Sequence, residues 1–112
     1  MPTLSFSQLF APNQVDNAAP ETLYTCPSGT LTRNMRVRFT NTTAGAVTIE
    51  AWAVPTAGSA GDTNACYPQV SIGAESYVDV DIPILTSGDK LQAQAGAASS
   101  ITAICLDGFE QT

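Results

Sequence analysis

Histidine is absent from this chain. Its absence removes the Ser-His-Asp and Cys-His arrangements of nucleophilic catalysis and the commonest metal ligand. Charge is scarce as well: 12% of the residues are Asp, Glu, Lys or Arg, against roughly 25% in ordinary soluble domains. Helical surfaces are normally furnished with Glu, Lys and Arg, so this deficit argues against helices. Positive charge is the rarer sign, with 4 basic residues against 10 acidic ones and a net charge of −6. A phosphate backbone requires a basic field, so no nucleic-acid partner is expected. No apolar run approaches the roughly 18 residues of a membrane span, and no membrane partner is expected. The first residues, Met1 to Phe6, have neither the basic cluster nor the apolar stretch of a secretory signal.

Cysteine is sparse and oddly counted. Cys26, Cys66 and Cys105 show no CxxC spacing, and three thiolates without histidine leave a zinc ion short of a fourth ligand. They read as small hydrophobes in a reducing compartment. No metal or other cofactor is expected. Asn41-Thr42-Thr43 matches a glycosylation acceptor and reads as a turn that matches by chance.

What is present is a rhythm of short β-prone runs separated by small-residue turns. At 112 residues the chain makes one domain. Met35–Thr40 alternates, with Met35, Val37 and Phe39 on one face and Arg36, Arg38 and Thr40 on the other. Val47–Val54 returns from a Gly-containing loop. Ser76–Ile84 alternates again, placing Val78, Val80, Ile82 and Ile84 inward and Tyr77, Asp79 and Asp81 outward. Glu21–Cys26, Tyr67–Ile72, Lys90–Ala95 and Ile101–Leu106 complete the series. Turn signals every 8–12 residues or so predict an all-β fold, a single antiparallel sandwich or jelly roll. Residues 1–20 differ: two prolines and two asparagines interrupt any period after Phe10, so this stretch reads as an extended N-terminal arm ahead of a sandwich over 21–112. Phe6, Leu9 and Phe10 are too apolar for a free tail and should dock on the chain's own domain or on a neighbour.

Two clusters invite a functional reading. Arg36 and Arg38, with Arg33, concentrate the positive charge; an anion site and ion pairs with carboxylates of a neighbouring strand or subunit both fit. Asp79 and Asp81 share a strand face, where they could bind a cation or work as acid and base, or simply pair with Arg36 and Arg38. Trp52 falls on the outer face of its strand, as a contact residue or as a ring covered by the arm. Pro55–Ala65 is the longest small-residue loop and a candidate mobile tip.

Certain residues also carry a resemblance. Arg38-Phe39-Thr40-Asn41-Thr42-Thr43, Val54-Pro55, Gly58-Ser59-Ala60-Gly61, Ile72-Gly73-Ala74-Glu75, Leu85 to Asp89, Leu91-Gln92-Ala93 and Ala95-Gly96, with a closing strand ending near Gly108, resemble a group of small bacteriophage virion proteins. The match covers residues 33–110. It departs from the group at Glu75, where a turn glycine is usual, and at Cys66, where an apolar residue is commoner. The resemblance implies a compact β-sandwich attached to a capsid, neck or tail, and no catalytic role. Together with small size, an apolar arm and a charge-poor surface, it leads to the expectation of a capsid decoration (cement) protein. Such a protein would bind the major capsid protein on the outer head surface as a homotrimer, with Phe6, Leu9, Phe10, Arg36, Arg38 and Trp52 as interface candidates. The alternatives are a receptor- or glycan-binding module of a head or tail fibre, and a neck or tail connector. An enzyme is not expected.

Overall fold

A computed structural model describes the backbone of Leu4–Phe6 and the chain from Gln8 to Thr112. Nine strands form among the described residues: β1 (Leu4–Phe6), β2 (Asn13–Gln14), β3 (Glu21–Thr25), β4 (Leu31–Asn41), β5 (Val47–Val54), β6 (Ala65–Ile72), β7 (Tyr77–Asp81), β8 (Lys90–Ala95) and β9 (Ile101–Gln111). A single helical turn, Asp62–Asn64, precedes β6 and lies against β5.

The strands make two antiparallel sheets. In one the order is β1-β9-β4-β7, with β2 also on β9; in the other it is β3-β8-β5-β6. The pairs β2·β9, β3·β8, β4·β7 and β5·β6 nest inside one another. The chain is therefore one long hairpin rolled into two layers, which is the jelly roll. Because β4 occupies one edge of β9 along its length, β1 and β2 must lie end to end along the other.

Alternation decides which side chains meet between the layers. Met35, Val37 and Phe39 of β4, Ile101, Ala103 and Cys105 of β9, Ile49 and Ala51 of β5, and Leu91, Ala93 and Ala95 of β8 are all buried. Fully burying each large apolar side chain contributes about 1.5–3 kcal/mol.

Two buried polar residues hold the ends of the roll. Asn41, fully buried, donates through Nδ2 to the carbonyls of Gly45 (2.8 Å), Ile72 (3.0 Å) and Gly73 (3.2 Å). Its Oδ1 accepts from the Thr43 N–H and hydroxyl. The asparagine of the apparent glycosylation signal is thus buried at the end of β4, where it opens the turn its sequence suggested. At the opposite end, Thr32 bonds the Tyr24 hydroxyl at 2.8 Å and Cys26 Sγ at 3.3 Å, and Tyr24 also donates to Glu110. Burial, and then the Glu110 carboxylate, push the Tyr24 phenol well above its ordinary range.

Part of the expected pattern is corrected. β7 ends at Asp81, and Ile84 is 60% exposed instead of facing inward with Val78, Val80 and Ile82. Pro83 has no N–H to donate to a ladder, so the chain leaves the sheet there, and Leu85 takes the buried place, bonded to Thr32 in both directions. β4 starts at Leu31, ahead of Met35, because Asn34 adopts a left-handed φ of 56° and absorbs a bulge against β9. β9 likewise runs past Leu106 to Gln111.

Candidate interaction surface

The outer face of the β1-β9-β4-β7 sheet carries most of the exposed chemistry. On β4, Arg36 and Arg38 point outward; on β7, Tyr77, Asp79 and Asp81 do so. The register sets Arg38 opposite Asp79 and Arg36 opposite Asp81. Arg38 grips Asp79 through Nε at 2.8 Å and Nη2 at 3.0 Å, and its guanidinium lies 4.0 Å from the centroid of the Tyr77 ring. Arg36 reaches Asp81 through Nε alone, at 3.0 Å, in a more exposed position. The Arg38 hydrogen bond holds the Asp79 carboxyl below its usual range. The two aspartates therefore serve as partners of arginines, one of the readings their spacing left open.

Around these pairs stand the exposed large apolar side chains: Tyr77 (55%), Leu106 on β9 (42%) and Ile84 just beyond β7 (60%). Asn34, Arg36, Asp81, Pro83 and Ile84 rim a shallow depression at the end of this face. Tyr77 was legible in the alternation of β7. Ile84 was not, since only the break at Pro83 turns it outward.

The apolar candidates from the sequence lie elsewhere. Trp52 is 5% exposed, so its ring is buried within the domain. Leu9 and Phe10 are half-buried and pack against the core. Leu9 occupies a notch that exists because residue 108 is glycine: a Cβ there would come within 2.8 Å of Leu9 Cδ1 and 3.2 Å of Met35 Cα. Gly108 also has φ +144°, a region that side chains other than glycine rarely adopt. The Phe6 side chain lies outside the described residues.

The loops at the rim are tied down by hydroxyls and amides. Asp89 accepts from the Thr86 N–H and hydroxyl (both 2.9 Å) and from the Thr56 N–H and hydroxyl (3.1 and 3.2 Å), stapling the loop after β5 to the turn before β8. These bonds, led by the Thr86 amide, draw its pKa down. Within Pro55–Ala65, Asn64 bonds the Ser59 carbonyl and accepts from the Gly61 N–H. Cys66 is half-buried, and burial raises its thiol pKa, the opposite of what an activated nucleophile needs. Among the described residues, no three His, Cys, Asp or Glu side chains gather as a metal site would require.

No protein-family model matches the chain, and no curated protein matches it in sequence. Its architecture does have solved counterparts. A chain of infectious bursal disease virus, Gx strain, matches 99% of this chain with a TM-score of 0.50 and 12% identity. A chain from the T13 particle of that virus matches 98%, with a TM-score of 0.50 and 10% identity. What is shared is the two-layer antiparallel β architecture. This chain spans only 33% and 30% of those two longer chains. A subunit of the Bacillus endospore appendages, described as disulfide-linked pili, matches with a TM-score of 0.53 and 15% identity over 99% of this chain and 88% of its own length. At such identities the likeness is one of architecture.

Proposed function

We propose that this protein is a structural subunit of a bacteriophage particle, a decoration protein that binds the outer head surface and holds neighbouring capsomers together. The observation that carries this reading is the jelly roll itself, matched over nearly the whole chain by capsid chains and by a pilus subunit. The resemblance of residues 33–110 to small phage virion proteins points the same way. The chemistry of the surface fits: the outward aspartates of β7 are engaged by arginines, and Tyr77, Ile84 and Leu106 offer apolar contacts beside them. Burial of such groups across subunits is how a cement would grip, with a few apolar or aromatic anchors dominating. Its partner would be the major capsid protein and its free form a homotrimer. It would act by binding and not by catalysis.

The test is co-sedimentation of the purified protein with heads that lack it. Ile84→Glu and Leu106→Glu, each on an already exposed side chain, should leave the thermal midpoint unchanged and reduce attachment at least tenfold. Attachment of both variants at the level of the original protein would contradict this surface assignment. A protein that binds host glycans instead of heads would be a fibre module.

A further inference from the structure

We propose that the N-terminal segment is an exchangeable strand, and that its seat along β9 can receive the same segment of a second copy of this chain. This deepens the structural-subunit reading by naming the partner, but its physical basis lies in the arm alone.

The segment is bonded to the body along its described residues. β1 and β2 pair with β9, and the Val15 N–H bonds the Ile101 carbonyl at 2.8 Å. Leu9 fills the notch at Gly108 and Met35, and Val15 is buried in the core. Asn13 Nδ2 and the Asp16 N–H both bond Glu21, each at 2.8 Å, and the Ala95 N–H bonds the Asp16 carbonyl at 2.9 Å. A second copy offers each of these partners in the same geometry. Exchange therefore changes what happens between arm and body, and little else.

The connection between them is Asn17-Ala18-Ala19-Pro20, exposed throughout. It is held by the Asp16 carboxylate, which accepts from the Asn17 and Ala18 N–H groups at 2.8 and 3.3 Å, and by Gln94 Nε2 on the Asn17 carbonyl at 3.0 Å. All three bonds are exposed and replaceable by water. Pro20 disfavours helical geometry at Ala19 and biases the link toward extension. Extended, four residues reach roughly 13 Å, so exchange requires the hinge ends of the two bodies to lie within about that distance. With the contacts conserved, the balance rests on hinge conformation and local concentration. A dilute chain closes on itself, and crowding on a surface favours exchange.

The test uses the pair Gln14 and Thr102, which lie opposite each other. Because Val15 and Ile101 are hydrogen-bonded neighbours, Gln14 and Thr102 form the closer, non-hydrogen-bonded kind of pair, suited to a disulfide. In a Cys66→Ser background, one preparation carries Gln14→Cys and a mass tag, the other Thr102→Cys. The two are mixed at high concentration and oxidised gently. Exchange predicts a mixed disulfide between the species at least fivefold above same-species pairs, with a covalent dimer by light scattering. A chain carrying both substitutions should close internally, and closing it first should abolish dimers. Internal closure of the double variant with mixed pairs no more abundant than same-species pairs would overturn exchange. Failure of the double variant to close would overturn the seat's register. Neither result depends on any virus particle, so exchange and the virion reading stand or fall separately.

Discussion

Arg38 and Asp79 face each other across β4 and β7, joined by two hydrogen bonds of 2.8 and 3.0 Å, with the Tyr77 ring against the guanidinium. β7 is an edge strand, and edge strands invite unwanted pairing unless charge guards them. The arginine side chains lie across the β4–β7 seam and fix the two carboxylates at that edge. The pair is partly exposed, so its coupling should be small. A double-mutant cycle with Arg38→Ala and Asp79→Ala should give about 1 kcal/mol or less, shrinking in high salt. A coupling several times larger and insensitive to salt would contradict this view.

Asn41 should matter far more for stability. It satisfies three carbonyls and a turn from a fully buried position. Asn41→Ala leaves Gly45 with the Thr43 hydroxyl and Gly73 with the Ser76 N–H but strips the buried Ile72 carbonyl of the amide, and should cost about 2 kcal/mol, within the range of about 1–3 kcal/mol for a buried polar group left unsatisfied. Urea unfolding measures it, and a loss under about 1 kcal/mol would show that water replaces the amide.

Tyr24 makes alkaline stability a readout of the polar end of the sandwich. Its folded pKa is raised, first by burial and next by Glu110. The unfolded phenol ionises near pH 10, so stability is intact below that and falls as pH rises beyond it. Melting curves between pH 8 and pH 11 should show a falling midpoint in the native protein. In Tyr24→Phe that fall should be weaker, from a lower starting value.

Asp89 gives the acid counterpart. Its pKa is lowered by amide and hydroxyl donors of Thr86 and Thr56. A depressed folded pKa contributes stability above the unfolded value near 3.9 that is lost as pH falls through the folded one. The midpoint should therefore drop below about pH 4, and Asp89→Asn should drop less steeply there. Equal slopes in both proteins would rule out the staple as a source of acid sensitivity.

Gly108→Ala should loosen the arm. The added methyl collides with Leu9 and Met35 at a backbone angle of +144°. Leu9 is expected to leave its notch, exposing residues 8–16 to limited proteolysis before the body unfolds. An arm as protease-resistant as in the native protein would place the strain elsewhere.

Alternation made much of this legible. Val47–Val54 and Lys90–Ala95 form strands over the ranges their patterns predicted, because two-residue periodicity maps onto a half-buried sheet without help from distant residues. The arginine–aspartate pairs were legible because each set sits on an outward strand face. What escaped was non-local or locally broken. β2 is two residues long and exists only because β9 offers it an edge. Asn34 interrupts the period that would have carried β4 back to Leu31. Parity placed Trp52 outward, as a contact residue or a covered ring, and local pattern could not choose between them; at 5% exposure the ring is covered. Leu9's notch depends on a glycine 99 positions away, a coincidence no local pattern announces.

The most direct test of the proposed virion role is a cryo-electron microscopy map of virus particles purified from the source that encodes this chain. A head-bound decoration protein predicts hundreds of copies of this jelly roll on the outer lattice, with the Ile84–Leu106 face turned to the capsid. Its absence from the purified particle, or its presence as a dozen copies or fewer at the neck or tail, would contradict that role.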